Sequence, residues 1–281
     1  MSFIMIKASI VVDKPYLNDR LFNPELNDKL FDGRGYKYII LKNELKKYNI
    51  DLSTHDINSP EISDIVIYID TNKLPINYSK KNYLLLIEPP SVLPNNFLKK
   101  NHIYFNKIFT WKDDLVDNKK YFKMYFSFDL KRKYDPKKIK DKFCVMITRK
   151  KFSSYHNEAY SIRYKIIQWF NLNKRNKLDL YGYDWDSFLF KKFPFTFFNR
   201  FKIIKKILHN FFEAKLEVYK GELLSKFDVL PSYKFCICYE NIYDIEGYIT
   251  EKLFDCFFSR TVPVYLGANN VEKFIPENCF I

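Results

Sequence analysis

Glu251 and Lys252 stand side by side where a polar loop gives way to a helix-forming stretch, Tyr248-Ile249-Thr250-Glu251-Lys252. A helix N-terminus offers backbone N–H groups without helical partners and the positive end of the peptide dipoles, which suits a phosphate. Lys252 adds a full cation in that first turn, where a cation is unfavourable unless an anion accompanies it. A diphosphate would resolve the conflict, and the Glu251 carboxylate beside it has the acceptors to hold ribose or sugar hydroxyls. The same two residues also read as a solvated Glu–Lys pair on an amphipathic core helix. Two further positions have the chemistry of a site. Glu88 follows an apolar run and precedes Pro89-Pro90. Ligands of open α/β sheets gather at the carboxyl ends of strands, so a carboxylate on that rigid turn is placed for general-base work, unless it only caps a surface turn. Arg163 lies early in a helical stretch, and its planar fork can take two phosphate oxygens at once. Its bland reading is a solvated helix face.

Elements must position these groups. Residues 235–239 form a short apolar run that predicts a buried strand, and a polar loop follows from 240 to 247. Thr250 has the place and chemistry of an N-cap, with Leu253, Phe254, Phe257 and Phe258 at helical spacing behind it. Residues 262–266 predict a second buried strand, closed by Gly267. This is a strand–loop–helix–strand unit of the parallel α/β kind. Upstream, residues 6–12, 64–70 and 83–87 read as buried strands and 36–48 as a helix with an apolar face. The chain from 1 to 135 therefore predicts one α/β domain. The charged, proline-interrupted stretch 131–140 (KRKYDPKKIK) reads as a linker. A second α/β domain, 141–281, opens with a strand at 143–148, a helix at 158–170 and a strand at 178–183. Residues 188–218 are dense in aromatics and bases, with Phe201, Ile204, Leu208, Phe211 and Phe212 on one helical stripe. Such a helix suits a membrane interface with its bases toward anionic headgroups, and packing of the stripe on the protein is the alternative. The chain stops at Phe280-Ile281, on what reads as the start of another strand.

Composition narrows the class. With 47% hydrophobic and 19% aromatic residues, the 281-residue chain is no disordered segment and is long enough for one large or two modest cores. Six glycines leave no glycine-rich phosphate loop: neither GxGxxG nor GxxxxGK[ST] occurs. The formal charge of +14 invites nucleic acid, an anionic membrane or phosphorylated substrates. Lysine supplies most of it, alongside abundant Asn, Ile, Tyr and Phe, as an AT-rich genome would give. The five cysteines form no CxxC pair and read as buried free thiols of a reducing compartment. The run 4–12 is too short to cross a membrane and carries Lys7, which fits a cytoplasmic enzyme without an N-terminal anchor.

The stretch 233–275 closely resembles the signature of the family 10 fucosyltransferases, the α1,3/α1,4 enzymes that use GDP-fucose. Cys238-Tyr239-Glu240-Asn241, then Gly247-Tyr248-Ile249-Thr250-Glu251-Lys252-Leu253-Phe254-Asp255, then Val262-Pro263-Val264-Tyr265-Leu266-Gly267 follow the family's order and spacing. Pro94, Asn95, Phe109-Thr110-Trp111 and Asp113-Asp114-Leu115 look like its bacterial branch. The resemblance implies an α/β fold of GT-B architecture, two Rossmann-like domains facing across a cleft, with the C-terminal one incomplete because family members continue with further helices. It implies that Arg163 (in a Ser-x-Arg setting), Asn241, Tyr248, Glu251 and Lys252 hold GDP-fucose, with Lys252 on the diphosphate. It makes Glu88 the base that deprotonates the acceptor hydroxyl in an inverting transfer. The implied acceptor is a 3-OH or 4-OH of GlcNAc or Glc on a glycan such as lipopolysaccharide O-antigen.

Asp184-Trp185-Asp186 has the Asp-x-Asp form that holds a divalent metal in another glycosyltransferase fold class. With Arg163 and Lys252 to neutralise a diphosphate, neither a metal nor any other cofactor is expected. Two rival readings remain: a GT-B enzyme with a different nucleotide sugar, and a basic nucleic-acid-binding protein. The second lacks any recognised nucleic-acid module, and its aromatics sit in apolar runs, so no nucleic-acid partner is expected. The expected location is cytoplasmic, peripheral on the inner face of a membrane through 188–218.

Overall fold

The computed structural model describes residues 5–31, 35–75, 81–127, 138–190 and 195–281. They divide into two compact units: Met1–Arg132 with Ile245–Glu251, and Lys133–Asp244 with Lys252–Ile281.

The first unit is built on one parallel sheet of β1 (Ile6–Val11), β2 (Ile50–Thr54), β3 (Ile65–Ile69), β4 (Lys81–Leu86), β5 (Lys107–Thr110) and β6 (Tyr121–Lys123), in the order β2-β1-β3-β4-β5-β6. Its helices are α1 (Pro24–Phe31), α2 (Tyr36–Lys46) and the single turn α3 (Lys99–His102). Strand side chains alternate between faces. Ala8, Ile10 and Val12 pack with Leu52 and Ile67 beneath Tyr38, Leu41 and Leu45 of α2. Val11, Val66, Tyr68, Leu84 and Leu86 pack on the other face with Phe97 and Phe105. Burial of each such side chain contributes about 1.5–3 kcal/mol. Burial on both faces is why β3 and β4 read as near-continuous apolar runs. β2 does not read so: its Ser53 and Thr54 are buried but polar, and Thr54 N–H donates to the Asp19 carboxylate at 2.7 Å.

The second unit holds β7 (Lys142–Ile147), β8 (Leu178–Tyr181), β9 (Tyr219–Gly221), β10 (Tyr233–Tyr239) and β11 (Val262–Leu266), also all parallel, in the order β11-β10-β7-β8-β9. Its helices are α4 (Tyr160–Asn173), α5 (Lys202–Phe212) and α6 (Glu251–Phe258), whose first residue groups with the first unit. Met146, Leu178, Leu180 and Ile237 from the sheet close on Ile167 of α4 and on Trp185. Beyond β11, Ile281 N–H donates to the Pro263 carbonyl and Ile281 O accepts from Tyr265 N–H, at 2.9 and 2.8 Å.

Both sheets reverse direction at one internal boundary. In the first unit the chain runs from β1 outward to β2 and returns to β3 on the other side of β1. In the second it builds β7, β8 and β9 outward, then crosses back to lay β10 beside β7. Such reversals open a crevice at the carboxyl ends of the strands, where ligands of open α/β sheets bind.

Of the expected linker 131–140, residues 131–137 lie outside the described residues, as do 191–194 of the aromatic stretch. Lys140 is not loose chain: its ammonium donates to the carbonyls of Pro231, Tyr233 and Ser259 at 3.0–3.2 Å, and burial lowers its pKa. Four of the five free cysteines are buried as expected, but Cys279 is exposed. Burial pushes the Cys144 thiol up to about 12, so it is inert.

Candidate active site

Arg163 occupies the reversal point of the second sheet. It projects from the first turn of α4 and is buried, which excludes the solvated-face reading. Its guanidinium donates to Thr148 Oγ1 just past β7 (3.1 Å), to the Tyr239 carbonyl at the end of β10, and to Asn241 Oδ1 (3.2 Å). All three oxygens are neutral. One planar side chain thus ties the carboxyl ends of both strands flanking the crevice. The backbone supports the arrangement: Ala159 N–H donates to Asn241 O, and Tyr243 N–H donates to Asn157 O.

Lys252 reaches the same neighbourhood from α6. Its ammonium lies 2.9 Å from Oε2 of Glu240, the residue before Asn241, and Glu240 is fully buried. The anion that accompanies Lys252 at its helix N-terminus is therefore, at least in part, a carboxylate of the chain itself. This revises the inference from the dipole conflict, which Glu240 answers without a ligand. The Glu240 charge also helps burial push the Tyr265 phenol up. Lys252 keeps part of its surface exposed.

Tyr248 and Glu251 group with the first unit. Tyr248 is buried with its ring 4.7 Å from that of Trp111 and 5.8 Å from that of Phe126. Gly247 adopts φ +84°, and a Cβ there would stand 2.3 Å from the Trp111 carbonyl. Lys123 braces the same carbonyl at 2.7 Å and pairs with Asp113. Gly247-Tyr248 and Trp111 with Asp113, from two stretches quoted separately for the family resemblance, thus meet in one packed cluster. Trp111 is fully buried, and its indole N–H has no hydrogen-bond partner among the described residues.

Glu88 follows β4 at the carboxyl edge of the first sheet, half-buried in the wall of a cavity of about 490 Å³. Asp13 and Tyr16 after β1, Asp70 and Asn72 after β3, and Lys37 of α2 share that wall, which places the cavity at the β1/β3 reversal. Asp70 has φ +58° and turns its buried carboxylate back to accept Ile87 N–H (2.7 Å) and Glu88 N–H (3.1 Å). Asn96 Nδ2 donates to both Asp70 Oδ1 (2.7 Å) and the Glu88 carbonyl (2.9 Å), and its Oδ1 accepts Thr71 N–H at 2.8 Å. Burial raises the Asp70 pKa against these hydrogen bonds. Glu88 is held by a backbone clamp and is more than a surface turn cap.

Arg163, Asn241 and Lys252 therefore come together at one reversal point, Tyr248 belongs to the Trp111 cluster, Glu251 groups with the first unit, and Glu88 lines the reversal point of the first sheet. Thr148, Glu240, Asp70 and Asn96 support them and carry no sequence signal of their own. Glu240 stands inside the quoted motif and Asp70 ends an apolar strand, but partners so distant in sequence appear only in the fold. The Asp-x-Asp carboxylates are engaged by cations: Asp184 by Arg149 (2.7 Å) and Lys205, Asp186 by Lys206 (3.3 Å). Burial opposes it, but the hydrogen bonds from Lys205 and Arg149 hold the Asp184 pKa below the ordinary value. Among the described residues no group of three or more His, Cys, Asp or Glu is arranged to hold a metal ion.

Two parallel-sheet α/β units with reversal-point crevices have the GT-B architecture. An α1,3-fucosyltransferase solved with GDP superposes over 100% of this chain and 74% of its own with a TM-score of 0.55, at 17% identity. Anabaena HepE, solved with UDP and glucose, covers 98% of this chain at a TM-score of 0.50 and 9% identity, over 85% of its own length. The sequence places the chain further. Residues 212–281 match the family model described as Glycosyltransferase family 10 (fucosyltransferase) C-term. It is 40% identical over 57 residues to the Helicobacter pylori alpha-(1,3)-fucosyltransferase FucT, covering 20% of this chain and 12% of that one. It is 47% identical over 52 residues to an Arabidopsis thaliana alpha-(1,4)-fucosyltransferase, covering 18% and 13%. The matched segment spans about an eighth of each of these relatives.

Proposed function

We propose that this chain is an inverting fucosyltransferase that moves L-fucose from GDP-fucose to a glycan hydroxyl. The observation that carries the proposal is the gathering of Arg163 with Asn241 and Lys252 at the β7/β10 reversal point, the last two inside the segment that matches the family 10 model. Arg163 and Lys252 neutralise the diphosphate, Asn241 and Glu251 take hydroxyls, and the buried Tyr248 shapes the donor loop. Glu88 accepts the acceptor proton as the acceptor oxygen bonds to the anomeric carbon. The bond from that carbon to the diphosphate breaks, and GDP departs with the electron pair onto a phosphate oxygen held by the two cations. The residues present supply that positive charge without a metal ion.

The acceptor in this proposal is a 3-OH or 4-OH of GlcNAc or Glc, on a glycan such as lipopolysaccharide O-antigen. The location is the cytoplasmic face of a membrane, held peripherally. Among the described residues no helix is long and apolar enough to cross one.

Calorimetric titration with GDP-fucose, GDP-mannose and UDP-galactose tests the donor. Selective binding of GDP-fucose, lost in Lys252→Ala, is the expected result. Preference for another nucleotide sugar would replace the donor and leave a GT-B enzyme of different specificity.

A further inference from the structure

Helix α5 is built inside out. Its protein-facing side carries Lys205 and His209 with half-buried Leu208; Lys205 is 4% exposed and paired to Asp184, while His209 Nδ1 lies 3.0 Å from Glu213 Oε2. The opposite side is apolar. Ile203, Ile204, Ile207 and Phe211 fall three or four residues apart on one stripe, and Ile203 and Phe211 are 76% and 79% exposed. A third strip beside it carries Lys202, Lys206 and Asn210, all exposed. A surface helix ordinarily turns its apolar stripe to the core and its charges to water. Here ion pairs root the helix, and the apolar side chains face outward. The preceding turn, Phe195–Arg200, extends the surface with exposed Phe195, Phe197 and Phe198, and Arg200 stacks 3.9 Å over the Phe197 ring.

The charge on this surface selects what covers it. Across residues 195–212 the exposed bases are Arg200, Lys202 and Lys206, the last 3.3 Å from Asp186, and the segment itself has no Asp or Glu. An apolar stripe flanked by lysines, on a segment without acidic residues of its own, is complementary to an anionic lipid surface: isoleucine and phenylalanine enter the acyl boundary, and lysine stems reach back to the headgroups. Nucleic acid would engage the bases but leave the isoleucine stripe in water.

We propose that the outward face of α5, with the turn before it, docks the protein on an anionic bilayer. The inference gives physical form to the peripheral location proposed above. It is read without donor or acceptor, so its failure and that of the transferase reading are separate results.

The test is co-sedimentation of the full chain with vesicles of phosphatidylglycerol and phosphatidylcholine in equal parts, against phosphatidylcholine alone. The protein is expected to bind the anionic vesicles and to be released as salt rises. Ile203→Ser, Ile207→Ser and Phe211→Ser together should weaken partitioning by about tenfold or more, and Lys202→Glu with Lys206→Glu should remove the preference for anionic lipid. These positions are exposed, so unchanged circular dichroism and GDP-fucose affinity should accompany the loss. Equal binding by the triple variant would overturn the proposal. So would absence of vesicle binding with concentration-dependent self-association abolished by the same three changes, which would make this face a contact between copies.

Discussion

The Lys252 ammonium and the fully buried Glu240 carboxylate lie 2.9 Å apart, so the cation proposed for the diphosphate is also an internal counter-ion. Loss of Lys252 therefore has two effects that must be separated. Lys252→Met should destabilise the fold by about 2 kcal/mol, less than the ~3–5 kcal/mol of a wholly buried pair because Lys252 is partly exposed. It should also weaken GDP-fucose binding about ten- to a hundredfold, the worth of a charge-assisted phosphate contact. Glu240→Gln added to Lys252→Met should return most of the stability and none of the donor affinity. If chemical denaturation and calorimetry show both returning together, Lys252 serves Glu240 alone.

Asp70 accepts the backbone N–H of Glu88, and Asn96 holds its carbonyl, so the side chain that would take the acceptor proton leaves a fixed peptide. Glu88→Ala should abolish transfer while GDP-fucose affinity stays at the parent value. Asp70→Ala should lower kcat by about tenfold or more through loss of geometry, and should cost about 1–3 kcal/mol of stability. Asp70→Asn keeps one acceptor oxygen and tolerates the left-handed backbone, so it should recover much of the rate. A single-turnover assay decides: full transfer by Glu88→Ala would remove that residue from the mechanism.

How far these relationships were legible depended on whether they were local. The strand–loop–helix–strand unit was readable because β10 and β11 are apolar runs and α6 has helical spacing. Glu88 was locatable because it ends such a run before two prolines. Arg163 had the right chemistry, but its burial against Thr148 and Asn241 is tertiary. The Lys252–Glu240 pair was the harder case. The helix dipole called for an anion at Lys252, and the carboxylate that supplies one sits in the same motif with no spacing rule to reveal it. In α5 the pattern left two readings open, a membrane face and a core face, and only the ion pairs at Lys205 and His209 show which side of the helix is turned to the protein.

His102 makes the Glu88 support sensitive to pH. Its Nε2 lies 2.6 Å from the Asn96 carbonyl, which can only accept, so Nε2 carries the proton and Nδ1 accepts from Tyr121 Oη at 3.0 Å. Burial lowers the His102 pKa below its ordinary 6.5, against the pull of the Asn96 carbonyl. The folded state then binds fewer protons than the unfolded state, and stability must fall as pH drops through 6.5 toward the folded value, by at most about 1.4 kcal/mol per pH unit. His55 is lowered too, by burial and then Lys73, so His102→Gln should remove only part of the dependence. Proton NMR separates the two imidazoles; a His102 ring titrating at or above 6.5 would contradict the sign.

Gly247 offers the sharpest test of the Tyr248 cluster. Its φ of +84° is a conformation that residues with a Cβ rarely hold, and an added methyl would stand 2.3 Å from the Trp111 carbonyl and 2.8 Å from Lys123 Nζ. The lysine end can swing away, but the carbonyl is backbone and cannot. Gly247→Ala should therefore cost about 1–3 kcal/mol from backbone strain, with a further cost as the loop shifts off Trp111. The shift has an optical readout, because Tyr248 packs 4.7 Å from a tryptophan that is fully buried. Its fluorescence should move to longer wavelength as water reaches the ring, and GDP-fucose affinity should fall with it. Unchanged fluorescence with lowered affinity would separate the donor loop from the Trp111 contact. Unchanged stability would mean that the left-handed turn at Gly247 is not the conformation that holds Tyr248 in place.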